Sequence, residues 1–162
     1  AMAQAFLDYD QLRRSWYMFF FQHGLADIVV PMDYLAFIGR LWSDWSPGYD
    51  HTTDLDPVRA ALGDPANLAA ALGYYRATLG DGRRDPGLDA AQAATGQMPP
   101  QPLLYLHGVD DGCVGIDAVA GVAASLTTPG SRMEVVDGAG HFLQVEQPEV
   151  VNGLVLDFLA AG

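Results

Sequence analysis

Lysine is absent from this chain, and its eight basic residues are all arginine. That excludes a lysine general base, a Schiff-base lysine and a phosphate-loop lysine. Positive charge is scarce altogether. Twenty acidic residues oppose the eight arginines, for a formal net charge of -12. Nucleic acid and anionic membrane surfaces are therefore not expected as partners, because phosphate binding needs clustered Lys and Arg. A single cysteine, Cys113, excludes an internal disulfide and a cysteine-only zinc site. His23 and His51 lack ligand spacing with each other or with carboxylate pairs, so no metal and no cofactor is expected. No apolar run reaches the roughly 18 residues of a membrane span. The start of the chain lacks a basic stretch before an apolar one, so no signal peptide is expected. With half of its 162 residues hydrophobic, the chain reads as a folded, soluble, cytoplasmic protein.

The chain divides by character. Residues 1–98 are aromatic, alanine-rich and read as helical. Residues 99–162 read as strand, helix, strand, helix. Three prolines in the run Pro99-Pro100-Gln101-Pro102 mark an extended join. In the first part, Gln11–Gln22 predicts one helix with Leu12, Trp16, Phe19 and Phe20 on a buried face. Pro31–Arg40 predicts a second helix opened by proline. Trp42–Tyr49 predicts an aromatic turn. Leu55–Leu62 and Asn67–Thr78 predict two more helices. In the second part, Leu103–His107 suits a strand buried on both faces. Asp117–Leu126 predicts a helix with Asp117 as its N-cap. Arg132–Val136 predicts a second strand. Pro148–Leu159 predicts an amphipathic helix with Val151, Leu154, Val155, Phe158 and Leu159 inward. Strands alternating with helices imply parallel pairing. Two such strands leave many backbone groups in need of partners, a first sign that the chain is the back half of something larger.

The residues able to do chemistry sit at the strand ends. His107-Gly-Val-Asp-Asp111 follows the first strand. Asp137-Gly-Ala-Gly-His141 follows the second. If the strands are parallel neighbours, Asp111 and His141 project from the same edge, where open α/β sheets build their sites. An acid beside a histidine can fix its tautomer and stabilise the imidazolium. His107 reads as structural, Cys113 as a small packing residue, and Arg83-Arg84 as a solvated pair.

The runs PLLYLHGVDD and MEVVDGAGHFLQVEQPEVV closely resemble the C-terminal third of α/β-hydrolases. The G-x-x-D of the acid corresponds to Gly108–Asp111, and the G-H of the base to Gly140-His141. The segment before them resembles the helical cap of the epoxide-hydrolase branch. There a Tyr precedes a Phe-Gln pair, as Tyr17 precedes Phe21-Gln22. Gly24-Leu-Ala-Asp27 resembles the Gly-x-Ala-Glu that follows, and Tyr75-Arg76 matches a second cap Tyr-Arg. The resemblance implies a partial α/β-hydrolase fold: a cap (1–98), then the last two parallel strands and their helices (99–162). It implies a catalytic triad in which His141 activates water, Asp111 orients it, and Tyr17 and Tyr75 donate to the epoxide oxygen. Phe21, Gln22, Trp42 and Phe142 are weaker candidates for the wall of a pocket for a small apolar substrate.

The nucleophile elbow of that family should precede the cap, and no G-x-S-x-G occurs here. Gly108-Val-Asp110-Asp-Gly112 fits the bare pattern. Asp110 is nonetheless rejected as nucleophile, since no cap would then separate it from His141. The expected partner is thus the missing N-terminal half of the hydrolase domain, with homodimerisation left open. An esterase, a haloalkane dehalogenase relative and an inert fragment are the alternatives.

Overall fold

The computed structural model describes residues 7–161. They form two compact units. One takes in the residues up to Asp44 together with Gly48–Arg84, and the other Trp45–Pro47 with the residues from Asp85 on. No helix among the described residues is long and apolar enough to cross a membrane.

The first unit is helical. The expected helix over Gln11–Gln22 is two, α1 (Tyr9–Arg14) and α2 (Trp16–Phe20). Asp8 caps α1 by accepting the Gln11 amide at 2.8 Å. The break falls at Ser15, whose ψ is 6°, and the buried Gln11 amide group donates to its hydroxyl at 3.0 Å. This break overturns the expected face. Leu12, Trp16 and Phe19 are exposed, and Tyr17 and Phe21, one turn apart, point inward instead. After α3 (Ala26–Val29) comes α4 (Met32–Trp45), whose start is kinked by three left-handed residues, Asp33, Tyr34 and Leu35. Such a conformation costs a non-glycine residue roughly 1–2 kcal/mol, and nothing in the amino-acid pattern announces it. The turn expected at Trp42–Tyr49 is shorter than that, because α4 continues through Trp45. The helices α5 (Thr52–Leu62) and α6 (Pro65–Leu79) follow. Asp64 caps α6 from outside and Pro65 occupies its first position. Leu35, Leu41, Leu55, Leu68 and Leu72 are buried, each stabilising by about 1.5–3 kcal/mol.

The second unit opens with the short α7 (Asp89–Ala94) and holds the sheet. Strands β1 (Leu104–Gly108) and β2 (Arg132–Val136) pair in parallel, with Gly108 opposite Val136. They are the two strands found among the described residues. Leu104, Tyr105 and Leu106 are half-buried rather than buried on both faces, because β1 has a neighbour on one side only. The helix expected over Asp117–Leu126 is a 3-10 turn (Ile116–Val119) and a single helical turn, α8 (Val122–Ser125), parted at Gly121. Asp117 lies inside that first turn, and Gly115 takes the capping position. The chain ends in α9 (Leu143–Glu146) and α10 (Pro148–Ala160). On α10, Val151 is buried and Leu154 and Phe158 are half-buried. Val155 and Leu159 are exposed, since a two-stranded sheet is too narrow to cover the whole apolar stripe.

Candidate active site

Parallel pairing brings the ends of β1 and β2 side by side, and the loops after them are knitted together. The Val109 amide donates to the Val136 carbonyl at 3.0 Å, and the Asp110 amide to the Ala139 carbonyl at 2.9 Å. Gly108 permits this approach. A Cβ there would overlap the carbonyl oxygens of Ala139 and Gly140.

The result is an acid–histidine pair. Nδ1 of His141 lies 3.0 Å from Oδ2 of Asp111. The other Asp111 oxygen, Oδ1, accepts the amides of Cys113 at 2.7 Å and Val114 at 2.8 Å. Asp111 is 5% exposed, so these bonds act where water competes little. Burial raises its pKa, but the hydrogen bond and charge of His141 and the two amides outweigh that, leaving it below the usual value. For His141, burial pulls the pKa down. The Asp111 hydrogen bond, a hydrogen bond with Cys113 and the charges of both push it up to about 10. His107 is buried beside them with a different task. Its Nε2–H donates to the Val114 carbonyl at 3.0 Å, while Nδ1 faces the Tyr105 hydroxyl at 3.3 Å. That bonding closes the acid loop onto β1, and Oδ2 of Asp111 stands 3.9 Å from the same Nε2.

Asp111, Cys113 and His141 also form a group whose donor atoms lie within 4.8 Å of one another. Both Asp111 oxygens already accept hydrogen bonds, and His141 holds its proton beside Asp111. The three are drawn together here by the hydrogen bond between the acid and the histidine, with the Cys113 side chain beside them.

Three residues that the sequence reading passed over complete the second unit's site. Trp45 lies with its ring centroid 5.5 Å from that of His141 and 6.0 Å from that of Phe142. Its carbonyl accepts the amides of Gly112 at 2.9 Å and of His141 at 3.1 Å, so one oxygen binds both loops. Ser46 is fully buried and donates to Glu146. The signal was available for Glu146 only, as an acid one helical turn after Phe142. Trp45 and Ser46 are about 100 residues away in sequence.

In the first unit Tyr17 and Tyr75 are neighbours. The rings of Tyr17 and Tyr75 are 5.9 Å apart at 82°, and Phe21 packs edge-on against both, at 5.6 and 5.0 Å. Tyr17 is 5% exposed and Tyr75 half-buried. The matched dipeptides bind each other. The Gln22 amide group donates to the Tyr75 carbonyl at 3.2 Å, and Arg76 Nε donates to the Phe21 carbonyl at 2.9 Å. Arg76 also pairs with Asp27 at 3.0 Å, so the acid after Gly24 is the partner of the Tyr-Arg arginine. Trp42 is half-buried with its ring 6.0 Å from that of His51. Phe142 packs against His141 at 5.1 Å.

No family model matches the chain. It is 24% identical to Epoxide hydrolase 1 of Caenorhabditis elegans over 161 residues, 95% of this chain and 37% of the nematode protein. A shorter run of 39 residues is 54% identical to Carboxylesterase YbfK of Bacillus subtilis, covering 24% of this chain and 13% of that one. Among solved structures, a candidate epoxide hydrolase from Klebsiella pneumoniae matches with a TM-score of 0.73 and 23% identity. The match covers 96% of this chain and 50% of that one. The chain thus spans well under half the length of the curated relatives it matches and half of the solved one. Its fold is part of an α/β-hydrolase fold, and along nearly its whole length the chain is epoxide-hydrolase-like.

Proposed function

We propose that this chain supplies the base, the acid and the lid of an enzyme that hydrolyses epoxides to vicinal diols. The nucleophile and the oxyanion donors would come from the N-terminal half of the hydrolase domain, outside this chain. Residues 1–98 would form the cap and 99–162 the end of the catalytic domain. The observation that carries the epoxide reading is the Tyr17–Tyr75 pair, two phenols 5.9 Å apart between rings.

In the proposed reaction a carboxylate attacks a ring carbon, the C–O bond breaks, and an ester forms. The leaving oxygen develops negative charge, and the two phenols donate hydrogen bonds and a proton to it. Water then loses a proton to His141 and attacks the ester carbonyl; the carbonyl–oxygen bond of the ester breaks, the departing oxygen takes a proton to complete the diol, the carboxylate is restored, and the proton held by His141 goes on to restore the phenol. Asp111 holds the tautomer of His141 and stabilises the imidazolium that this step creates. The aromatic cap favours a small apolar substrate. No cofactor takes part.

A second reading is carried by the 54% identity to a carboxylesterase over 39 residues. There the nucleophile is a serine, the same Asp111–His141 pair serves it, and the tyrosines are packing residues. The test joins this chain to its nucleophile-bearing segment and changes His141→Gln. With an aryl epoxide, an ester adduct on a carboxylate should accumulate and be seen by intact mass. Turnover of a p-nitrophenyl ester by the parent, lost in His141→Gln, with no adduct and no epoxide opening, would establish the esterase reading instead.

A further inference from the structure

One carboxylate in the second unit has no part in the proposed chemistry, yet it holds the histidine loop from both sides. Glu146, the last residue of α9, accepts the Gly140 amide on Oε2 at 2.7 Å and the Phe142 amide on Oε1 at 3.0 Å. Oε1 also accepts the Ser46 hydroxyl at 2.7 Å. Ser46 is 0% exposed, and its oxygen lies 3.2 Å from the Phe142 amide as a further acceptor. The amide between these two, that of His141 itself, goes to the Trp45 carbonyl. Three consecutive amides are thereby fixed by three acceptors, the Glu146 carboxylate, the Ser46 hydroxyl and the Trp45 carbonyl. Gly140 has no side chain because none fits: a Cβ there would stand 2.6 Å from Ser46 Cα and 2.9 Å from the Trp45 carbonyl oxygen.

The direction of an imidazole follows from the backbone at its own residue, and both peptide units flanking His141 are anchored here. A hydrogen bond of 3.0 Å to Asp111 leaves little room for drift, since such bonds weaken steeply once length and angle depart from the usual range. We propose that Glu146 is a positioning residue for His141: together with Ser46 and the Trp45 carbonyl it fixes the backbone on both sides of the imidazole, so that Nδ1 stays on Asp111. This rests on reading Asp111 and His141 as the hydrolase acid and base, but the alignment can be measured without substrate.

The experiment is an NMR titration of the imidazoles of the 162-residue chain, with His141→Gln identifying one signal among the four histidines. The groups facing His141 are Asp111 and Cys113 from the acid loop, with His107 behind Asp111, while the Glu146 carboxylate holds the amides of the two residues beside it. Removing the Glu146 charge would by itself lower the midpoint, so the informative variants keep it. Glu146→Asp retains the charge and shortens the reach. It should lower the His141 midpoint by about one pH unit, a tenfold loss of proton affinity, and speed amide exchange at Gly140 or Phe142. Ser46→Ala, which changes little volume and folds even if Glu146→Asp does not, should move the midpoint the same way by less. An unmoved midpoint in folded Glu146→Asp overturns the proposal, even if amide exchange quickens, because Glu146 would then be structural only. If Glu146→Asp does not fold, an unmoved midpoint in Ser46→Ala does the same. Asp111→Asn separates the two layers. If it lowers the midpoint and Glu146→Asp does not, positioning alone fails. If Asp111→Asn leaves it unmoved, the acid–base reading fails with it.

Discussion

Gly108 at the end of β1 lies directly beneath the carbonyl of Gly140, the residue before His141. The two glycines of the G-x-x-D and G-H motifs are thus halves of one contact, and the first is glycine so that the second can come close. Gly108→Ala places a methyl group against two backbone carbonyls, one of which, that of Ala139, is held by the Asp110 amide. The expected cost is about 1–3 kcal/mol, as for overpacking of a rigid site. The Asp111–His141 distance should grow at the same time. Chemical denaturation measures the first effect, and the His141 titration the second. A variant as stable as the parent would show that the loop yields.

The acid–histidine pair makes stability depend on pH at both ends. His141 has a folded pKa of about 10 against 6.5 unfolded. The folded state holds the proton more tightly, so this contribution is complete below about pH 6.5 and is lost as pH rises through 10. Asp111 is shifted the other way, below the usual carboxylate value of 3.8. Its contribution is present above that value and disappears as pH falls through the lower folded pKa. Asp111→Asn should flatten both limbs in a denaturation series across pH. In the complete enzyme the hydrolytic step needs His141 unprotonated, so release of the ester should quicken toward alkaline pH. The formation of the ester should show no such rise.

Asp111 and His141 were legible in the sequence because each follows a short apolar run and a glycine, and parallel pairing does the rest. Arg132–Val136 was legible to the residue for the same reason. The first helix was not. Its apolar spacing from Leu12 to Phe20 is genuine, but the break at Ser15 turns a different set of side chains inward, and a buried Gln11–Ser15 bond decides the matter. The clamp of Trp45, Ser46 and Glu146 was also out of reach. It depends on a contact across a sequence separation of 100 residues, about which local pattern carries no information.

The first unit yields a prediction that involves no chemistry. Phe21 is 3% exposed and touches Tyr17, Phe20, Phe37 and Tyr75. Phe21→Ala should cost about 3–5 kcal/mol. Arg76→Lys tests the neighbouring polar link. Lysine cannot both donate to the Phe21 carbonyl through Nε and reach Asp27, so about 1 kcal/mol should be lost. Asp27→Asn alone should cost less, because that pair is partly exposed. Thermal or urea unfolding of the three variants checks the order.

Tyr17 and Tyr75 decide between the two functional readings, and they must be changed to Phe so that packing survives. Phenylalanine keeps the ring contacts with Phe21 and removes only the hydroxyl. If both phenols stabilise a developing alkoxide, each single change should lower the rate of epoxide opening by about 10²–10³, as for one donor of an oxyanion site. The double change should lower it further. The loss belongs in the formation of the ester, so its hydrolysis, which runs through His141, should be spared. Single-turnover measurement on the complete enzyme, following ester formation and decay separately, distinguishes the two steps. Epoxide turnover that survives the double change would remove the tyrosines from the chemistry. It would leave the Asp111–His141 pair serving some other nucleophile, with the carboxylesterase reading as its strongest claimant.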